Sequence, residues 1–519
     1  MRGDFGQFFV LTRAKLDLIQ TLYMSRVAVI GGGFGGLTAA AELAQAGHRV
    51  VLFEGSSTLG GKAQVLQSAV TLDTGPTLLT MPDVVRSTFA RIGASDLLPA
   101  FHRLPLQARY TWAHQPGRVF ECFEDQGATL ASAEAFGEAR ALERFYAEAA
   151  RIHRAAGEPY LEAPLEGLPS FLVRALRRGP GAFAAGMQLG TLDGLARRHF
   201  RSPELRQFVN RFATYVGASP YEASAAFALI PHLERAEGVH HVQGGMGALV
   251  RALHQALARL GVEVRFGQRA RWASQKGELI AGPSGGEGVF DTVVVNADPF
   301  ADEPLGTRAL ALSGYVALLE VDRRLPLAHH HVVFGGDYPR EFGELFSGEV
   351  PTDPTVYFCH PAATDETMAP GGKSGVLAMV NAPALTSEAE AARWPRYAEV
   401  LRERCLASLL ALHPSLRREE VKVLGERTPV DLAARGAPGG SIYGFLPHGR
   451  LGAFARPPMR SRTPGVFFAG GSTHPGGGVP MVMLSGRFAA QLAQEHLRLP
   501  LPQRGEGRGE GRTSLGAQR

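Results

Sequence analysis

The chain carries only three cysteines in 519 residues, Cys122, Cys359 and Cys405, and none forms a CxxC pair. That excludes a disulfide framework and a thiolate metal centre of neighbouring cysteines, and it suits a reducing cytosol. No run of about 18 apolar residues occurs, so no segment reads as a membrane span. Excess charge of one sign is lacking too: 54 Lys and Arg face 49 Asp and Glu, a net +5 without a basic stripe. Nucleic acid is therefore not expected as a partner, whereas weak attraction to an anionic membrane is compatible. The first 23 residues contain no signal-peptide core, because Asp4, Arg13, Lys15 and Asp17 interrupt every apolar stretch.

What the chain has in quantity is glycine, 63 residues, and its placement is informative. From Val27 to Lys62 the sequence reads VAVIGGGFGGLTAAAELAQAGHRVVLFEGSSTLGGK. An apolar run leads into Gly31-x-Gly33-Phe34-Gly35-Gly36, an Ala- and Leu-rich helical segment follows, and a second apolar run ends at Glu54. This is the βαβ dinucleotide fingerprint: one glycine for the turn, one for close approach to a pyrophosphate, one for helix–strand packing. The pyrophosphate then lies on a helix N-terminus. Glu54 is placed to accept the adenosine ribose hydroxyls and would repel a 2′-phosphate, which disfavours NADP. The second glycine pair, Gly60-Gly61, followed by Lys62 as a counter-charge, offers a further approach to the diphosphate that simple NAD dehydrogenases do not need. The cofactor reading is FAD.

Two further blocks repeat the strand–glycine–helix pattern. In the second, Gly244-Gly245-Met246-Gly247 opens a helix with apolar Leu249, Val250, Leu253, Leu257 and Leu260. Gly261 ends it, and strands follow at Val262–Val264 and Val293–Val295, the latter running into Asn296. The third is GVFFAGGSTHPGGGVPMVMLSGRFAAQL, Gly465 to Leu492. The expected fold is α/β: a Rossmann-like FAD-binding domain of the amine oxidase type assembled from three segments, with an inserted mixed α+β domain for substrate and membrane. The expected boundaries are 24–105, 236–300 and 441–500 for the FAD parts, and 106–235 and 301–440 for the insertions. Residues 1–23 are expected to be a disordered arm or a mis-assigned start before Met24, and 501–519 a disordered Gly- and charge-rich tail.

Three motifs carry a resemblance: Asp73-Thr74-Gly75-Pro76-Thr77-Leu78-Leu79, Gly244-Gly245-Met246-Gly247, and Thr473-His474-Pro475-Gly476-Gly477-Gly478-Val479-Pro480. Together they resemble the bacterial and fungal type of phytoene desaturase, within the flavin amine oxidase superfamily, over about residues 24–495. The resemblance implies that Gly75, Pro76, Thr77 and Leu78 pass near the isoalloxazine ring and that the backbone of Val264 meets the adenine. It also implies that Gly470 and Gly471 lie along the ribityl chain. Gly478, Val479, Pro480 and Met481 then bring a helix N-terminus to the flavin pyrimidine, where its dipole favours the negative charge of reduced flavin. Amine oxidases carry an acid where Gly471 stands, and some carry a flavin-linking cysteine; both are missing, so FAD is expected to be non-covalent. Met481 replaces the glycine usual in phytoene desaturases, and GGSTHPGGGVPMVMLSGR is closer to 3,4-desaturases of hydroxylated carotenoids.

The implied reaction removes two hydrogens across a CH2–CH2 unit beside a polyene. C-3,4 desaturation of a hydroxylated acyclic carotenoid stands beside phytoene desaturation, with quinone or O2 as the electron acceptor. A carotenoid isomerase or ketolase of the same fold, and a flavin-free prenyl-lipid binding protein, are the alternatives. The polyene delocalises developing charge, so no catalytic residue is assigned. Asp73 is expected to cap or bond backbone in its own turn, and His474 to fix the glycine turn through a ring N–H. A cytoplasmic protein on the inner membrane follows from so apolar a substrate, with Leu168–Met187 as a cationic, apolar-faced segment. Phe171 and Leu172 either insert into lipid or line the domain's own core. His329-His330-His331 reads as a surface loop and not as a metal site.

Overall fold

The computed structural model describes residues 24–165, 167–177, 190–275, 278–283, 288–301, 303–449 and 452–498. The expected arm (1–23) and tail (501–519), and the second half of the cationic segment, lie outside the described residues.

A five-stranded parallel sheet runs in the order Val466–Phe468, Thr292–Val295, Arg26–Ile30, Arg49–Phe53, Glu263–Arg265. Its strands are short and β-branched, and the inner ones read as continuous apolar runs because both faces are covered. Arg26–Ile30 lies at the centre, with the next strand in sequence on one side and Thr292–Val295 on the other. That is a topological switch point, and the crevice at the strands' carboxyl ends is where such sheets bind ligands. Gly31, Glu54, Asn296 and Ala469 each directly follow one of these strands.

The Ala-rich helix Phe34–Gln45 crosses the sheet behind that crevice. It ends at Ala46-Gly47, where Gly47 (φ +92°) turns the chain and donates to Ala44 O at 2.9 Å. The helix Val479–Arg498 packs across it at a glycine–glycine crossing: a Cβ on Gly486 would lie 2.1 Å from the Gly35 carbonyl oxygen.

A second sheet of seven strands runs Val421–Arg427, Ser313–Val321, Ser374–Ala382, Val356–Cys359, His330–Phe334, Leu106–Trp112, Val119–Phe123. It is antiparallel except where His330–Phe334 lies parallel to Leu106–Trp112. The helix Glu388–Leu412 packs with one part of this sheet, while Ala139–Ile152, Leu192–His199 and Pro203–Asn210 share an aromatic core with its other end. The hairpin Val65–Gln67/Thr71–Asp73 sets Val70 and Leu72 among Leu318, Cys359 and Leu377, against the seven-stranded sheet.

The histidine run is placed differently from the surface loop expected. His330 and His331 lie inside the strand His330–Phe334, and all three rings are buried. In the helix Leu168–Arg177, Phe171 belongs to the core against Phe454, at 4.7 Å between ring centroids, with Leu172 packed on the same cluster. Val173 and Leu176 face outward, 52% and 55% exposed. Arg174 turns inward to donate to the carbonyls of Ala163 and Pro164.

Candidate active site

The first glycine turn is built by close backbone packing. Gly31 takes φ +98°, and a Cβ on Gly36 would sit 1.9 Å from the Gly31 carbonyl oxygen. Gly33 is the extended residue before the helix Phe34–Gln45, so the free N–H groups of the first turn open beside it. Gly60 and Gly61 approach from the other side: Gly60 N–H donates to Gly32 O at 2.8 Å, and a Cβ on Gly61 would lie 3.2 Å from Gly33 Cα. Two glycine backbones thus meet face to face, leaving space at a helix N-terminus that any side chain there would fill.

Glu54 closes the far end. Its Oε2 accepts from Gly32 N–H at 2.7 Å and its Oε1 from Ser56 N–H at 2.8 Å. Both bonds orient the carboxylate, and each oxygen keeps a lone pair for a diol. Val264 is paired to Leu52 on the neighbouring edge strand, beside Glu54. Asn296 lies under the turn, donating to Gly31 O at 3.3 Å, and its buried Oδ1 has no partner among the described residues.

The third block arrives at the same place. Gly470 follows the strand Val466–Phe468 and donates to Ser485 Oγ on the last helix. Gly471 packs 3.6 Å from the Gly477 Cα, measured from a built Cβ, and its carbonyl accepts from the Arg456 guanidinium at 3.0 Å. The helix begins at Val479 with Pro480 in its first turn, followed by Met481. Gly33, Gly61, Gly75, Pro76, Thr77, Leu78, Gly470, Gly471, Gly478 and Met481 all keep accessible surface. They are therefore open to a ligand bound along the glycine turns.

Three expected roles are corrected. Lys62 does not stand free as a counter-charge: its Nζ donates to Ser441 O (3.0 Å) and Ile442 O (2.6 Å), and desolvation lowers its pKa. It ties the glycine pair to the loop that carries Tyr443 against Gly477. Asp73 does not serve its own turn but caps another helix, Gly245–Arg259, accepting from Met246 N–H (2.8 Å) and Gly247 N–H (3.1 Å). His474 makes no bond to the glycine turn. Its ring stacks on Phe488 and meets the edge of Tyr160, and burial pushes its pKa down to about 3, so it is neutral.

Burial pushes the Asp73 carboxyl up to about 6, with the two N–H donors and Arg251 opposing. An acid whose folded pKa is raised holds its proton longer when folded. Its contribution is present below the unfolded value near 4 and is lost as pH rises through about 6. The melting temperature of the wild type relative to Asp73→Asn is therefore expected to fall between pH 4 and pH 6 and then level off. A difference that rises over that window contradicts the assignment.

Sequence reasoning missed the polar cluster behind Thr77. Thr77 Oγ1 and Tyr357 Oη share a hydrogen bond of 2.7 Å, and Tyr357 Oη is also 2.7 Å from His330 Nδ1. His329 Nδ1 lies 2.8 Å from Thr364 Oγ1. The buried guanidinium of Arg211 lies near by, bonded to Tyr110 and Tyr215. The cluster's members come from three distant stretches of chain; only the odd polarity of HHHVVF, a strand pattern with histidines, could have signalled it.

A switch-point parallel sheet with two glycine turns meeting at a helix N-terminus defines a dinucleotide-binding fold. A match over residues 34–493 to the family model described as "Flavin containing amine oxidoreductase" makes the class definite: the chain belongs to that family. It is 34% identical over 499 residues to a hydroxyneurosporene desaturase of Cereibacter sphaeroides, covering 90% of this chain and 97% of that one. It is 31% identical to a zeta-carotene-forming phytoene desaturase of Myxococcus xanthus, covering 90% and 93%. The fold is shared with cyclohexylamine oxidase from Brevibacterium oxydans, at 16% identity and a TM-score of 0.58, over 91% and 99% of the two chains. The chain is a flavin oxidoreductase with carotenoid desaturases among its relatives.

Proposed function

We propose that the chain is an FAD-dependent carotenoid desaturase acting on an acyclic carotenoid hydroxylated at C1, and that it introduces the C-3,4 double bond. The observation that carries the FAD part is the meeting of the glycine turns, where Gly33 and Gly61 face each other with Glu54 at one end and the helix from Val479 at the other. Gly31, Gly33, Phe34, Gly35, Gly36, Gly60, Gly61 and Asn296 would hold the diphosphate, and Glu54 and Val264 the adenosine. Gly75 to Leu78 and Gly470 to Met481 would enclose the ring. Bound FAD supplies the two-electron acceptor.

The chain's own contribution is position and dryness. The first turn of the helix from Val479 would offer its positive dipole to the ring's pyrimidine edge. Non-covalent attachment is favoured because no cysteine lies in the glycine segments, and burial pushes the Cys359 thiol up to about 12, leaving it protonated. The parallel sheet and its helices serve as the FAD domain and the seven-stranded sheet as the substrate domain. Among the described residues no helix is long and apolar enough to cross a membrane. Delivery of so apolar a substrate fits docking on the cytoplasmic face of the inner membrane through Val173 and Leu176, and quinone or O2 would reoxidise the flavin.

Product mass tests the reading. Incubated with a C1-hydroxylated acyclic carotenoid in vesicles, the protein is expected to give a product lighter by two hydrogens. Unchanged mass with altered geometry supports an isomerase, and gained oxygen a ketolase.

A further inference from the structure

The cluster behind Thr77 is out of place beside a hydrocarbon. In the register of the two strands His330 lies opposite Cys359 and Val332 opposite Tyr357, so His330, Tyr357 and Cys359 share one face of the seven-stranded sheet. That face meets Thr77 through the tyrosine. Thr77 and Tyr357 keep accessible surface, while His329 and His330 behind them are 4% and 2% exposed. The Nε2 atoms of both histidines are buried with no partner among the described residues. A buried polar atom left unsatisfied costs about 1–3 kcal/mol, so a polar group reaching either nitrogen would be stabilised.

The cluster's chemistry narrows what that ligand is. Both imidazoles are neutral, since burial holds their pKa values far down, with Arg211 adding to the effect at His330. His330, Tyr357 and Thr77 can each donate or accept, according to tautomer and rotor. Such a set suits one neutral group that both donates and accepts, namely an alcohol. Behind it the arrangement is fixed: His329 is held by Thr364 and packs on His241, whose Nε2 is bonded to Asp365, itself held by Gly244 N–H.

We propose that Thr77, Tyr357, His330 and His329 form the recognition site for the hydroxyl of the carotenoid, which makes this chain selective for a hydroxylated end. The inference rests on the desaturase reading above and deepens it. The location follows from the substrate: in a C-3,4 desaturation the hydroxyl-bearing C1 is separated from C3 by a single methylene. The hydroxyl must therefore lie beside the reacting bond, next to the Gly75–Leu78 segment, and not at the far end of the tunnel. A site built to bond a hydroxyl discriminates strongly against the analogue lacking it, because its own polar groups are then left unpaired.

The same neighbourhood offers His329, His330 and Cys359 ligand atoms within 4.8 Å of one another, a conceivable metal set. Its thiol is already engaged by Tyr357 and Thr77. The hydroxyl is the better match.

The test compares two acyclic carotenoids, identical but for the C1 hydroxyl, in phosphatidylglycerol vesicles. Flavin-loaded wild type, Tyr357→Phe and His330→Leu are assayed for kcat/KM, and for carotenoid retained by the protein without turnover. The wild type is expected to favour the hydroxylated substrate. In each variant the preference is expected to fall about 10–100-fold, in retention as well as in kcat/KM, with flavin content unchanged. His330→Gln, which keeps a polar group, is expected to recover part of it and replaces His330→Leu should that variant not fold. An unchanged preference, an equal loss on both substrates, or one metal ion per chain in the wild type overturns the site. A wild type that converts neither substrate overturns the desaturase reading instead, and the retention ratio still decides the hydroxyl site.

Discussion

Gly36→Val is expected to yield a protein without flavin, destabilised by about 3 kcal/mol or more. A Cβ at Gly36 would stand 1.9 Å from the Gly31 oxygen and 3.1 Å from its carbonyl carbon. Overpacking a core ordinarily costs about 1–3 kcal/mol because side chains can shift. Here the obstacle is backbone, and Gly31 is fixed in a turn at φ +98° by a bond from its N–H to Phe53 O. The helix can only move outward, which widens the gap between its first turn and the Gly60–Gly61 pair. Gly47→Ala is the control. Gly47 also has positive φ (+92°), but a Cβ there meets nothing within 4 Å. It is expected to cost about 1–2 kcal/mol of backbone strain and to keep its flavin. Flavin absorbance per polypeptide and thermal melting separate the two. A Gly36→Val protein that is yellow and stable contradicts the fingerprint's role.

Arg211→Met is expected to destabilise the protein by about 3–5 kcal/mol, the usual cost of removing one partner from a buried charged set. Arg211 is 8% exposed, reaches Tyr110 and Tyr215 hydroxyls, and lies against the rings of Tyr110, Phe212 and Tyr215. Tyr215 passes the interaction on to the buried Glu234 carboxyl, whose pKa burial already raises against the pull of Arg211. Without the guanidinium, that carboxyl is pushed further up and the folded state holds its proton. The variant is then expected to lose additional stability as pH rises above the usual carboxylate range. Adding Glu234→Gln is expected to recover most of the loss. Urea unfolding of the two variants checks this, and a double variant weaker than Arg211→Met would contradict the coupling.

The glycine turns at Gly31 and Gly60 were legible because their determinants are local. Gly31 to Glu54 spans one βαβ unit, and each glycine is required by a contact with backbone nearby in sequence or at a predictable strand end. Glu54, Gly60 and the helix start at Val479 follow from the same pattern. Roles set by long-range packing could not be read that way. Asp73 looks like a turn residue, yet its partners are Met246 and Gly247, in another block of the chain. Lys62 looks like a phosphate ligand, but two carbonyls of the loop at Ser441 and Ile442 take its ammonium. The histidine run looked like a loop because three polar residues rarely open a buried strand. It is tolerated where Thr364, Tyr357 and Thr111 supply hydrogen bonds to the three rings. Phe171 settled into the core because Phe454 lies across from it.

Desaturation beside a hydroxylated end is best examined in cells that already make lycopene, with and without a carotenoid 1,2-hydratase, by recording pigment mass and absorption spectrum after this chain is added. A pigment lighter by two hydrogens and shifted to the red is expected only where the hydratase is present. Unchanged pigment in both strains, or conversion equally efficient without the hydratase, would contradict it.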